Sequence, residues 1–131
     1  MKAGDIILSV VGVILAGFAW AVYDMSRPSP MRSGSSGRLE TVLSGSKPVL
    51  LEFYADWCGP CRMVGPEVEK LAGEVRGKAE VMRFNVDENR ELAAKHGVSS
   101  IPCFIVFKQG RETARQVGAI PPEMMRSMIG L

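Results

Sequence analysis

Cys58 and Cys61 stand three residues apart in the stretch Trp57-Cys58-Gly59-Pro60-Cys61. That spacing permits a redox pair, half of a metal site, or two unconnected thiols, and by itself does not choose, since many zinc sites contain the same half. The setting narrows the choice. An apolar run, Val49–Ala55, precedes the pair, and Val64, Val68, Leu71 and Val75 follow it at helical spacing. Cys58 then falls at the start of a helix, where free backbone N–H groups and the helix dipole favour an anion. A thiolate is the nucleophile of disulfide exchange. The spacing also puts Cys61 one turn in, within disulfide reach of Cys58 and less exposed. Pro60 suits the first helical turn, where its missing N–H costs nothing.

Composition restricts what else the chain can do. It has 131 residues, a net charge of +2 and a single histidine. Near-balanced charge gives no sign of a nucleic-acid groove or an acidic substrate. Three cysteines are too few for a disulfide-stapled mini-fold, and His96 alone cannot build a histidine-based catalytic cluster. The chemistry must run on thiols. Glu52 adds a second element: it is a carboxylate inside the apolar run Val49–Tyr54, where desolvation raises a carboxyl pKa. Cys103 reads as a small buried strand residue, with a third thiol near the active site as the sharper alternative. His96, at a helix end, is expected to face solvent, Arg62 and Arg83 to lie on a solvated face, and Met125, Met128 and Ile129 to join the core.

The elements that must position these residues can be read along the chain. Ile6–Val22 carries no charge and is bounded by Asp5 and Asp24. As a helix its 17 residues reach ~25 Å, short of a ~30 Å hydrocarbon core but within the range of spanning segments. Two membrane-directed readings stay open, a signal peptide with Ala19-Trp20-Ala21 at its cleavage site and an uncleaved anchor; the length of the run favours the anchor. Residues 24–37 are rich in Pro, Ser and Gly and read as a flexible linker. From residue 38 a globular pattern begins. It comprises a short helix on Leu39, Val42 and Leu43, a strand Val49–Ala55, the long helix stopped near Gly77 and a strand Glu80–Val86. A short helix Asn89–His96, strands Phe104–Phe107 and Glu112–Val117 joined by a hairpin, and a final short helix complete it. This α/β order predicts a central mixed sheet of about four strands flanked by helices, behind an N-terminal transmembrane segment. The expected organisation is 1–23 anchor or signal peptide, 24–37 linker and 38–131 globular domain.

The stretches FYADWCGPCRMVGPEVEKLA, FNVDEN, HGVSSIPCFIVFKQG and VGA resemble the thioredoxin family over roughly Lys47 to Leu131. The resemblance implies a thioredoxin fold and a protein-disulfide reductase that needs no cofactor and no metal. It makes Cys58 the attacking thiolate and Cys61 the resolving thiol, the two forming the redox-active disulfide. Glu52 takes the place of a family Asp behind the disulfide, as proton acceptor for Cys61. Pro102 matches the family's cis-proline, and Trp57, Gly59, Pro60, Ile101, Pro102 and Gly118 would form the substrate-binding surface. Pro66 matches a family proline inside the long helix. Thioredoxins carry a further strand before the first helix, and residues 28–37 are unsuited to one.

The implied partners are disulfide-containing proteins and an upstream thiol electron donor, either a thioredoxin reductase or a membrane thiol carrier. The membrane is engaged through Ile6–Val22, and no nucleic acid is involved. Lys2 and the α-amine on one side of the apolar run nearly balance Arg27, Arg32 and Arg38 on the other. An extracytoplasmic domain is the leading expectation, with a secreted or a cytoplasm-facing form as alternatives. Two other functions compete: a non-catalytic docking module on the same fold, and a metal-binding module of Cys58, Cys61, Cys103 and His96.

Overall fold

The computed structural model describes residues 3–26 and 36–131. The sheet is built from four strands: β1 (Val49–Tyr54), β2 (Glu80–Asn85), β3 (Cys103–Lys108) and β4 (Arg111–Val117). Their order is β2-β1-β3-β4, with β1 parallel to β2 and antiparallel to β3, and β3 antiparallel to β4. The parallel pair is joined through α3 (Gly59–Glu74), as a crossover requires. The hairpin β3–β4 turns at Gln109-Gly110, both at positive φ. Among the described residues no strand precedes β1, so β2 is an edge of the sheet.

Strand alternation divides the core in two. Val49, Leu51 and Phe53 join Met82, Phe84, Ile105 and Phe107 on one face, beneath Leu39 of α2 (Ser36–Leu43) and Ala93 of α4 (Arg90–Lys95). Leu50, Phe104 and Val106 turn to the other face and meet Val64, Val68 and Leu71 of α3 and Met125 and Ile129 of α5 (Pro122–Ile129). The period of two sends the side chains of Leu50 and Glu52 to the α3 side. The active-site helix therefore rests on the face that carries the carboxylate.

Two expectations are corrected in this frame. The ends of the expected linker are helical: α1 runs Ala3–Ser26 and α2 begins at Ser36, leaving residues 27–35 outside the described residues. His96 does not face solvent. It is half-buried against the rings of Phe53 and Phe107, at 6.0 and 5.5 Å between centroids, because α4 is only six residues long and its last turn lies over the sheet. As for the N-terminal segment, among the described residues no helix is long and apolar enough to cross a membrane. The charge-free part of α1, Ile6–Val22, makes about 25 Å of helix.

Candidate active site

Cys58 is the N-cap of α3, with extended backbone at φ −84° and ψ 110°. Gly59 and Pro60 open the helix, and neither supplies a side chain that would cap it. The orphan N–H of Cys61 instead donates to Cys58 Sγ at 3.3 Å. The two cysteines are joined as a disulfide, with Cα atoms 5.3 Å apart. Both are buried, Cys61 more deeply than Cys58, and they pack with Ala55 against Tyr54, Val86 and Ile101. Pro66 lies within α3, which continues through it to Glu74.

Of the expected binding residues, Ile101 packs against this pair. The Ile101–Pro102 peptide is cis. The carbonyl of Pro102 accepts from the N–H of Gly118 at 2.8 Å, which ties the loop before β3 to the end of β4. Gly118 has φ +96°, and a Cβ placed there would meet nothing within 4 Å. It therefore holds a backbone conformation most residues avoid, beside open space. Trp57 is 69% exposed, an unusual state for so large an apolar ring. Its position is fixed by Nε1, which donates to Asp87 Oδ2 at 2.8 Å. Asp87 is fixed in turn by its own N–H on Asn85 Oδ1 at 2.9 Å. Asp87 and Asn85 were not singled out from the sequence; the only signal was polar residues at the end of a strand.

Glu52 is fully buried, and burial pushes its carboxyl above the ordinary value while Arg83 opposes the shift. The partner was missed because strand register is not visible in one sequence. Glu52 and Arg83 are opposite one another across the parallel β1–β2 pair, and Arg83 Nε donates to Glu52 Oε2. A second donor, Nη2, lies 3.4 Å from Oε1. The expected solvated Arg83 is thus corrected: its side chain is only 16% exposed and its Cζ sits 4.2 Å above the ring of Tyr54. Arg62 is exposed, as expected. A cleft of about 360 Å³ opens between Cys61 and Arg83, floored by Tyr54 and walled by Gly65 and Glu69.

The remaining candidates lie elsewhere. Cys103 is a free, buried thiol in the core under α2 and α4. Burial raises its pKa, with Arg115 Nη1 at 4.0 Å from the sulfur. Among the described residues no group of three or more His, Cys, Asp or Glu side chains could hold a metal ion. Cys103 and His96 therefore do not complete a metal site with the disulfide pair.

A helix-capping cysteine bonded to a second one a turn later, packed against Ile101 of a cis Ile101–Pro102 peptide, matches the motif read from the sequence. The family model for thioredoxin matches residues 36–130. The chain belongs to the thioredoxin family. It is 43% identical over 88 residues to the thioredoxin of Chlorobaculum thiosulfatiphilum, an overlap of 67% of this chain and 82% of that one. Against the thioredoxin of Staphylococcus haemolyticus it is 46% identical over 90 residues, or 69% and 85% of the two chains. Among solved structures, a thioredoxin variant from Halobacterium salinarum superposes with a TM-score of 0.67 at 36% identity, covering 79% of this chain and 93% of that one. This member of the family carries an intact Cys58–Cys61 pair and is a thiol–disulfide oxidoreductase that reduces protein disulfides. Its general partners are disulfide-bearing proteins and a reductase that returns electrons.

Proposed function

We propose that Cys58 is the attacking thiolate, Cys61 the resolving thiol and Glu52 the proton acceptor of a membrane-tethered disulfide reductase. The observation that carries the role of Cys58 is the N–H of Cys61 aimed at its sulfur at a helix N-terminus. A negative sulfur gains most from that donor. In the first step the Cys58 thiolate attacks one sulfur of the substrate disulfide; the substrate S–S bond breaks and the other sulfur leaves as a thiolate that takes a proton. In the second step the Cys61 thiol gives its proton to Glu52. Its sulfur then attacks Cys58 Sγ, closes the Cys58–Cys61 bond and releases the remaining substrate sulfur as a thiolate that takes up a proton. Two electrons and two protons pass to the substrate. Trp57, Gly59, Pro60, Ile101, Pro102 and Gly118 form the surface on which an extended substrate lies, with backbone pairing at Ile101.

The tether is α1. In its charge-free part the side chains are exposed all round, Leu8 at 74%, Leu15 at 62% and Trp20 at 71%. Apolar surface on every face is matched by lipid and not by water. The ~5 Å by which this segment falls short of a ~30 Å hydrocarbon core would be met by thinning of the bilayer, at fractions of a kcal/mol per Å of mismatch. Lys2 ahead of the span favours an extracytoplasmic domain, which would draw electrons from a membrane thiol carrier.

Two experiments test these roles. Cys61→Ser should accumulate covalent substrate complexes while Cys58→Ser forms none; equal trapping by both would refute the assignment. A membrane-impermeant thiol reagent on intact cells should label reduced Cys58. Labelling only after lysis would place the domain inside, and a soluble form starting near Val22 would show cleavage.

A further inference from the structure

Glycine is among the least favourable residues in a helix interior, yet Gly65 is buried in mid-α3, directly before Pro66. A Cβ built on Gly65 would stand 3.2 Å from Arg83 Nη2, 3.5 Å from Nη1 and 3.7 Å from Cζ. The guanidinium thus lies against bare helix backbone. The other glycines of the helix, Gly59 and Gly73, have open space where a Cβ would be. The position of Gly65 is the one in α3 where a missing side chain is filled by something else.

The same guanidinium is fixed from three further directions. Glu52 accepts from it, the Tyr54 ring lies beneath it, and Glu69 Oε1 is 3.8 Å from Nη1. Glu52 does not line the cleft that separates Cys61 from Arg83, whereas Arg83 does. The arginine therefore stands between the buried carboxylate and the space that reaches the resolving cysteine.

We propose that Gly65 is a positioning residue: by having no side chain it opens a seat on α3 that lets Arg83 close over Glu52 at the edge of the Cys61 cleft. A contact of 3.2 Å is too tight to keep, and the neighbour is the far end of a flexible side chain. A methyl group at Gly65 displaces the guanidinium by a few tenths of an ångström and leaves the fold intact. A bidentate contact depends on its angle as well as its distance, so Glu52 loses part of the influence that opposes its burial. The charged and titratable groups facing this pair are Glu69 and Cys61 on α3, Tyr54 on β1 and, around the cleft, Asp56 and Arg62. None of them is moved directly by the substitution. The inference rests on the proposed role of Glu52 only where turnover is concerned.

The test is a carboxyl-carbon NMR titration of Glu52 in the oxidised full-length chain in detergent, for wild type, Gly65→Ala, Arg83→Met and the double variant. Gly65→Ala should shift the Glu52 midpoint upward, and in the Arg83→Met background it should produce no further shift. Gly65→Ser adds the same Cβ with a different outer atom and should shift the midpoint in the same direction. An unchanged midpoint in both glycine variants would overturn the inference, and so would an equal shift with and without Arg83. A shifted midpoint with unaltered disulfide reduction would uphold Gly65 as the seat of Arg83 and refute Glu52 as the proton acceptor.

Discussion

Arg83→Met keeps most of the apolar stem and removes the charge that faces Glu52. Removing one partner of a buried ion pair costs about 3–5 kcal/mol, because the other charge is left uncompensated. Glu52 is fully buried, whereas the Arg83 side chain is 16% exposed, which places the cost at the lower end, about 3 kcal/mol. That cost requires an ionised carboxylate. Burial already holds Glu52 above its ordinary value near 4.5, and both interactions with Arg83 act to lower it, so the variant's carboxyl is raised further. Below its ordinary value of 4.5 Glu52 is protonated with or without Arg83, and the loss shrinks to the stacking on Tyr54, about 0.5–1 kcal/mol. The penalty therefore grows as pH rises through the Glu52 midpoint. In urea, at a slope of roughly 1.5 kcal/mol per molar for a small domain, about 3 kcal/mol moves the unfolding midpoint by ~2 M. The assay is urea unfolding of the oxidised protein at pH 4 and pH 8, followed by tryptophan fluorescence. An equal loss at both values would show that Arg83 acts through packing, and the charge argument would fail.

Three further outcomes follow from the same structure. Glu52→Gln should flatten the acid limb of disulfide reduction. It should also remove the fall in stability that accompanies rising pH above about 4.5, since in that window the fold retains a proton the unfolded chain has released; stopped-flow reduction and urea unfolding across pH 4 to 8 read both. Cys103 should resist iodoacetamide in the native reduced protein while Cys58 reacts, because burial raises its thiol pKa and reactivity follows the thiolate; equal labelling by mass spectrometry would contradict this. Burial lowers the pKa of His96 below 6.5, so the fold binds fewer protons than the unfolded chain and loses stability as pH falls through that value. His96→Phe should remove that dependence, which thermal melts at pH 5 and pH 7 would detect.

Thiol chemistry was legible in the sequence because it is local. A helix start, two cysteines one turn apart and a proline in the first turn lie within five residues, and backbone geometry alone carries them to one place. The strand and helix order was legible for the same reason: periods of two and of 3.6 are properties of neighbouring residues. Glu52 could be suspected from a carboxylate in an apolar run. Its partner could not, since Arg83 lies 31 positions away and meets it only through the register of a parallel strand pair. The tertiary structure likewise decided the states of Trp57, His96 and Gly65. Asp87 fixes the first from the end of β2, two rings of the sheet enclose the second, and an arginine from β2 fills the third. A chain's own periodicity fixes which way a side chain points; what waits for it there depends on strands and helices brought from elsewhere, and that is set by packing alone.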